Sequence, residues 1–262
     1  MESVARGFQE RTSKYMSDMG YDVSDKSVLI GGVGTLGSRI LRNLSRFNFK
    51  KIYVIDFDVV GPENVGYQCY HSEEVGLKKV ECISKRFQKF HPWTNIEGLY
   101  LEVPTPSGLW SEESFEKIRS LVKSVDIVVT SFDVLPPRAT LLVLAVKYNK
   151  FFIDTGLGPT RGYVKVLQEG YCPICGKIWD ERVAYYTNPN LAELVASLAS
   201  QAVIHLLNGV DWPSEVSIYL ENPWRPLMVS KVKNDGCRLC SEEVKELETS
   251  EEFLRYIIKN AY

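Results

Sequence analysis

Hydrophobic residues in the first part of the chain alternate between short runs and longer segments with helical spacing. The short runs are rich in aliphatic side chains and predict buried strands at residues 27–30, 51–55, 96–103, 126–130 and 151–154. The segments around them predict helices at residues 2–19, 38–47, 75–90, 111–122 and a stretch ending at 148. Strands that alternate with helices indicate right-handed βαβ units, and therefore a mostly parallel α/β sheet with helices on both faces.

The pattern changes in the second part of the chain. Residues 163–168, 215–220 and 226–232 predict strands of a smaller antiparallel portion, and residues 251–258 predict a short amphipathic helix. Residues 190–207 are apolar around most of a helical circumference, which predicts a buried helix. We expect one domain over residues 1–262, made of one half at about 1–158 and another at about 159–262.

A glycine-rich turn joins the first predicted strand to the first predicted helix. Glycines in the order G-x-G-x-x-G allow a tight turn and a close approach of the backbone to a phosphate, which then faces the amides of the helix start. The turn consists of Gly32, Val33, Gly34, Thr35, Leu36 and Gly37. Asp56 ends the second strand, about where a ribose hydroxyl is met in a βαβ nucleotide site. The alternative is a glycine turn without a ligand.

Polar residues that follow the second strand indicate which nucleotide is bound. Asp58, Asn64, Gln68 and Lys79 supply a second carboxylate, two amides and an ammonium group. A nicotinamide-dependent dehydrogenase, the alternative, does not need such a series, whereas an enzyme that handles a triphosphate needs a lysine and amides to hold it. Asp133 follows a buried strand at the same edge, and a carboxylate there could bind the magnesium of a triphosphate or could cap the next helix. Arg138 fits a structural role better than a catalytic one.

Four of the six cysteines form two C-x-x-C pairs, Cys172 with Cys175 and Cys237 with Cys240. Four thiolates suit a tetrahedral, structural zinc site with no open position. The alternative is a reduced or redox-active remnant of such a site.

Four motifs in one order resemble the ubiquitin-activating-enzyme-like superfamily, in particular the MoeB/ThiF-type adenylyltransferases. The motifs are the glycine turn, Asp56-Phe57-Asp58-Val59-Val60, Asn64-Val65-Gly66-Tyr67-Gln68 and Val75-Gly76-Leu77-Lys78-Lys79. The resemblance implies a Rossmann-like fold, ATP bound by the motif residues, magnesium on Asp133, Lys79 at the α-phosphate, and zinc that holds the second half. It also implies a homodimer in which Arg11 reaches a nucleotide across the interface; the alternative is that Arg11 and Lys14 are solvated charges of the first helix. The implied substrate is the C-terminal glycine carboxylate of a small ubiquitin-like or sulfur-carrier protein.

The chain departs from the family pattern at two places. Tyr67 stands where relatives have an arginine that contacts ATP phosphates, so that Arg11, Lys14, Lys78 or Arg138 must compensate, or adenylation is slow, or this is not the active subunit. Residues 176–190 contain no cysteine, whereas relatives that form a thioester carry one after the first C-x-x-C pair. The sequence therefore predicts an enzyme that stops at the acyl-adenylate. The alternatives are a non-catalytic partner subunit and adenylation of a peptide carboxylate or a tRNA base.

Composition and charge limit the classes of partner that we expect. The chain has 262 residues, 45% of them hydrophobic, and a formal net charge of -2, which gives no reason to expect nucleic acid or an anionic membrane. Its start lacks the basic and apolar regions of a signal peptide, and the longest aliphatic stretch, residues 139–146, is too short to span a bilayer. We therefore expect a cytoplasmic protein.

Overall fold

A computed structural model describes residues 2–106, 108, 110–175, 186–221, 227–230, 237 and 239–261. The side chains of residues 10–260 within these ranges are described as well.

Eight strands form one sheet in the described part of the chain. They are β1 Ser27–Gly31, β2 Lys51–Asp56, β3 Ile96–Tyr100, β4 Ile127–Thr130, β5 Phe151–Leu157, β6 Arg161–Val166, β7 Glu215–Tyr219 and β8 Leu227–Ser230. The order across the sheet is β3-β2-β1-β4-β5-β6-β7-β8. Neighbours from β3 to β5 are parallel, whereas the pairs from β5 to β8 are antiparallel. The predicted mostly parallel sheet with a smaller antiparallel portion is confirmed.

Seven helices accompany the sheet in the same ranges. They are α1 Glu2–Met19, α2 Thr35–Leu44, α3 Lys79–Phe90, α4 Glu112–Ser124, α5 Leu135–Lys147, α6 Pro189–Leu207 and α7 Ser250–Ala261. Residues of α2, α3 and α6 pack into one hydrophobic core, and residues of α4, α5 and α7 pack into a second. Val28 and Ile30 belong to the first core and Leu29 to the second, since successive side chains of a strand point to opposite faces. The sheet is therefore covered on both faces, as predicted.

Helix α6 has the length and the composition of a membrane-spanning segment, and 56% of its apolar window is buried within the fold. It contacts α2, β5 and β6. These contacts confirm the prediction of a buried helix and are those of a core helix.

Several element boundaries differ from the prediction. The helix predicted at residues 38–47 spans Thr35–Leu44, and the strand predicted at residues 96–103 ends at Tyr100. The helix predicted at residues 75–90 begins only at Lys79. The residues before it pair with the segment after β2, through Val60 N to Leu77 O at 2.8 Å and Gly76 N to Val60 O at 2.8 Å. The third antiparallel strand, predicted at residues 226–232, is described only as β8, and the rest of that prediction lies outside the described residues.

Candidate functional site

The glycine turn between β1 and α2 forms an open cradle. Gly32 has a φ of +83°, which favours glycine, and a Cβ on Gly37 would overlap the carbonyl oxygen of Gly32. A Cβ on Gly34 would lie 3.8 Å from the nearest side-chain atom, Nε2 of Gln68, so the space in front of Gly34 is open. Gly34 is also the N-cap of α2 and provides no side chain to accept from the first helical amides. Those amides can therefore bind an anion. Thr35 is half-buried at the helix start, and Leu36 is buried in the core.

Asp56 holds the backbone of this turn. Its Oδ2 accepts a hydrogen bond from Val33 N at 2.8 Å, and its Oδ1 accepts one from Asp58 N at 2.8 Å. The side chain is buried, and burial raises the pKa of the carboxyl group. Tyr70 adds a second support, since its hydroxyl donates to Val33 O at 2.7 Å. Asp56 thus positions the cradle, and its contact with a ribose stays a prediction.

Asp58 and Lys79 form an ion pair beside the cradle. Lys79 Nζ lies 2.8 Å from Asp58 Oδ2, and Lys79 N donates to Asp58 O at 3.0 Å. The Lys79 side chain is only 8% exposed, whereas that of Asp58 is 51% exposed. The ammonium group is therefore largely shielded from water. In such an environment its attraction to an anion is stronger than it would be in bulk water.

The two predicted amide side chains have different surroundings. Asn64 is buried, and its Oδ1 accepts from Gly61 N at 2.8 Å, so that it stabilises the loop after β2. Gln68 Oε1 is buried and has no hydrogen-bond partner among the described residues. Burying such an oxygen without a partner is costly, and the amide of Gln68 faces Gly34. The Gln68 amide is therefore available to form a hydrogen bond with a ligand held in the cradle.

Asp133 reaches the same edge of the sheet from the neighbouring strand. Gly31 of β1 pairs with Thr130 of β4, so the chain leaves both strands side by side. The Asp133 side chain is exposed and has no hydrogen-bond or ion-pair partner within the described ranges. A free carboxylate at the carboxyl end of a parallel strand has the chemistry of a magnesium ligand. Magnesium binding itself stays a prediction.

A buried polar network lies behind Asp133 and was not predicted. Asp154 is fully buried in β5, and Arg138 NH1 lies 3.0 Å from its Oδ1. Burial opposes the charge of Arg138, but the negative charge of Asp154 raises the pKa of the guanidinium group. The contact places Arg138 in a structural role, as expected, and removes it from the cations that could compensate for Tyr67. A charged residue at the end of the apolar run at residues 151–154 was the available signal.

Tyr67 and its neighbours join the two halves of the chain. The Tyr67 hydroxyl accepts from Thr187 N at 2.8 Å and also contacts Thr187 O and Oγ1. Arg39, buried on α2, donates to Tyr67 O at 2.9 Å and to Glu193 Oε1 at 2.9 Å. Arg42 pairs with the same carboxylate. The buried Arg39 therefore serves the contact between α2 and α6.

Three other predicted cations lie at the surface. Arg11 has an exposed side chain on α1 and makes no hydrogen bond or ion pair with the cradle within the described residues. Lys14 pairs with Asp18 at 3.3 Å. Lys78 lies 4.6 Å from the centroid of the Tyr100 ring. A role for Arg11 across a subunit interface stays a prediction.

The cysteine pairs come together in space. The Sγ atoms of Cys172, Cys175 and Cys237 all lie within 4.8 Å of one another. The thiol of Cys240 lies near Cys172 and Cys237 but is not one of the three that come within 4.8 Å of one another. Hydrogen bonds from the neighbouring thiols lower the pKa of Cys237, and the largest effect comes from Cys172. Zn–S bonds of about 2.3 Å would place sulfurs of a tetrahedral site about 3.8 Å apart, whereas the Sγ atoms of Cys175 and Cys237 lie 2.7 Å apart. The cluster therefore fits a structural zinc by its set of thiol donors, and this pair must separate to bind the metal.

A model of the ThiF family matches residues 10–238. Among curated proteins, the chain is 25% identical to the ubiquitin-like modifier-activating enzyme ATG7 of Saccharomyces cerevisiae over 89% of this chain and 42% of that protein. It is 27% identical to tRNA threonylcarbamoyladenosine dehydratase 2 of the same yeast, over 48% of this chain and 27% of that protein. The chain thus spans less than half the length of these relatives.

Solved structures share the fold. A crystal structure of E. coli MccB with ATP aligns with a TM-score of 0.67 at 18% identity, over 84% of this chain and 67% of that one. A structure of PaaA aligns with a TM-score of 0.63 at 17% identity, over 87% of this chain and 67% of that one. At this level of identity the likeness extends to the fold alone.

Proposed function

This chain belongs to the ThiF family, and from that premise we propose that it adenylates the C-terminal glycine carboxylate of a small ubiquitin-like or sulfur-carrier protein. The observation that carries the proposal is the convergence on one sheet edge of an open glycine cradle, the shielded Lys79 ammonium group and the free carboxylate of Asp133. The ATG7 relative is named as a ubiquitin-like modifier-activating enzyme, which supports an acceptor of this class.

The reaction requires positioning and charge stabilisation. A carboxylate is already a nucleophile at neutral pH, so its oxygen attacks the α-phosphorus of ATP without a general base. A new P–O bond forms, the bond between the α- and β-phosphates breaks, and pyrophosphate leaves with the electron pair. Amides of the cradle and Lys79 hold the phosphates, where negative charge increases in the transition state. Magnesium, held by Asp133, would neutralise phosphate charge.

A thioester is not part of the proposal. Outside the two C-x-x-C pairs the chain has only Cys69 and Cys82. Cys82 is buried in the core, and burial raises the pKa of its thiol, which disfavours the nucleophilic thiolate. The product would therefore be the free acyl-adenylate.

The test is the exchange of labelled pyrophosphate into ATP by the full chain. Each ubiquitin-like protein encoded in the same genome is the acceptor in turn, and a peptide and a tRNA pool serve as acceptors of the alternative classes. Exchange with a ubiquitin-like protein that disappears when its C-terminal glycine is removed supports the proposal. Exchange only with the peptide or the tRNA pool would show that the acceptor is not a ubiquitin-like protein. Background exchange with all acceptors would contradict adenylation by this chain alone.

A second candidate is a non-catalytic partner subunit, and Tyr67 favours it. The position at which relatives have a phosphate-binding arginine is used here to fasten Thr187, and the nearby Arg39 is turned toward Glu193. Nucleotide binding without exchange, followed by exchange on mixing with a second homologue, would distinguish this role from catalysis.

A further inference from the structure

The three residues before Asp133 are each fixed by a different element. Thr130 Oγ1 donates to Asp154 Oδ1 at 2.8 Å, which joins β4 to β5. Ser131 Oγ donates to Gly32 O at 2.8 Å, which joins β4 to the glycine cradle. Phe132 O accepts a hydrogen bond from Arg138 NH2 on α5. Asp133 itself is exposed and unpaired within the described residues, so an unpaired carboxylate follows a clamped segment.

Arg138 connects this segment to the antiparallel half of the sheet. Its NH1 donates to Asp154 Oδ1 at 3.0 Å, to Thr155 O at 2.9 Å and to the Tyr163 hydroxyl at 3.0 Å. The Tyr163 hydroxyl in turn donates to Asp154 Oδ2 at 3.2 Å. Arg138 and Asp154 are 9% and 0% exposed as side chains, so that the network is buried and held by packing as well as by hydrogen bonds.

A cation that only neutralised the charge of Asp154 would not need to bind the Phe132 carbonyl as Arg138 does. Buried ion pairs contribute little net stability compared with apolar residues of the same volume, so stability alone is a weak reason for the pair. The NH2 nitrogen of Arg138 points to a further role, since it donates a hydrogen bond to the carbonyl of Phe132, the residue before Asp133. Because the peptide unit is planar, a fixed Phe132 carbonyl also fixes the amide nitrogen and the Cα of Asp133.

We infer that Arg138, supported by Asp154 and Tyr163, is a positioning residue that sets the direction of the Asp133 carboxylate toward a metal-bound triphosphate. The inference rests on the proposed function and adds a role for residues that touch neither ATP nor metal. Groups behind a metal ligand commonly change metal affinity by about 10- to 100-fold when they are replaced.

The test measures ATP binding by titration calorimetry on the full chain, once with EDTA and once with Mn²⁺, and compares the gain in affinity that the metal provides. We expect Asp133→Asn to remove the gain. Arg138→Lys retains the charge opposite Asp154 but loses the planar fork, and we expect it to reduce the gain about tenfold while metal-free affinity is unchanged. Tyr163→Phe is the milder variant, which keeps the test decisive where Arg138→Lys does not fold.

Arg119→Lys is the matched control. Arg119 also joins a carboxylate, Glu116 at 2.9 Å, to a backbone carbonyl, Glu248 O at 2.7 Å, but it lies on α4 away from the cradle. It should leave the metal-dependent gain unchanged. A wild-type gain in both Arg138→Lys and Tyr163→Phe overturns the inference and leaves the proposed function intact. Wild-type chain that binds no ATP under either condition overturns both.

Discussion

At the scale of single residues, the central group is the Lys79 ammonium, which is shielded from water and paired with a half-exposed carboxylate. We predict that Lys79→Ala lowers the rate of pyrophosphate exchange by about a hundredfold, because a preorganised charge at the α-phosphate is lost. The melting temperature should change little, since Asp58 is exposed enough to be hydrated after its partner is removed. Lys85→Ala, an exposed lysine on the same helix, is the control and should retain wild-type exchange. Unchanged exchange in Lys79→Ala would exclude Lys79 from catalysis.

The residues of the site were largely predictable one by one, but their roles were less so. Spacing after a strand placed Asp56 and Asp58 at one edge of the sheet. It could not indicate that Asp56 is occupied by backbone amides of the turn while Asp58 pairs with Lys79. Such choices depend on burial and on the direction of side chains, which a linear pattern does not contain.

At the scale of elements, the turn from β1 into α2 allows two glycines to be separated by function. Gly37→Ala should lower the melting temperature, because its Cβ overlaps the Gly32 carbonyl. Gly34→Ala should fold normally, because the space in front of it is open, but its methyl group occupies the cradle and should weaken ATP binding. Thermal unfolding and calorimetric ATP titration of both variants check this contrast. Equal effects of the two substitutions on stability would contradict the assigned geometry.

Helix and strand periodicity predicted most elements, and the main error has a physical cause. Residues 75–78 continue the helical pattern of α3 in sequence, but Gly76 has a φ of +88° and the segment pairs with residues 59–60. Pairing between distant segments overrides local propensity. For the same reason the contact of Arg138 with Tyr163, on another element, could not be read from the spacing of either residue.

At the scale of the whole molecule, the cysteine cluster joins the segment after β6 to the segment before α7. We predict about one zinc per chain by metal analysis, and a loss of about 10 °C in melting temperature on chelation or in Cys175→Ser. Cys69→Ser, which lies outside the cluster, should retain both the metal and the melting temperature. A metal-free wild-type chain of unchanged stability would contradict a structural zinc.

The contact between α2 and α6 should make stability depend on pH. Burial of Glu193 opposes its charge, but hydrogen bonds from Arg42 and Arg39 lower its pKa below 4.5. A carboxyl group whose pKa is lower in the folded state stabilises the fold above pH 4.5. This contribution is lost as the pH falls through the pKa of Glu193 in the folded state.

Glu193→Gln should therefore lower the free energy of unfolding at neutral pH by about 1 kcal/mol, a value discounted for its exposure. The difference from wild type should disappear in acid well below pH 4.5. Urea unfolding of both proteins at the two pH values measures it. A difference that persists undiminished in acid would show that the ion pair is not its source.

The central claim is that one sheet edge of this chain activates a carboxylate with ATP. Mass spectrometry of a ubiquitin-like protein, incubated with the full chain, ATP and magnesium, tests it most directly. The account predicts an AMP adduct on the C-terminal glycine of the acceptor, no acceptor bound covalently to the chain, and an adduct that forms about a hundredfold more slowly with Lys79→Ala. An acceptor that remains unmodified while the chain binds ATP, or a thioester to one of its cysteines, would contradict it.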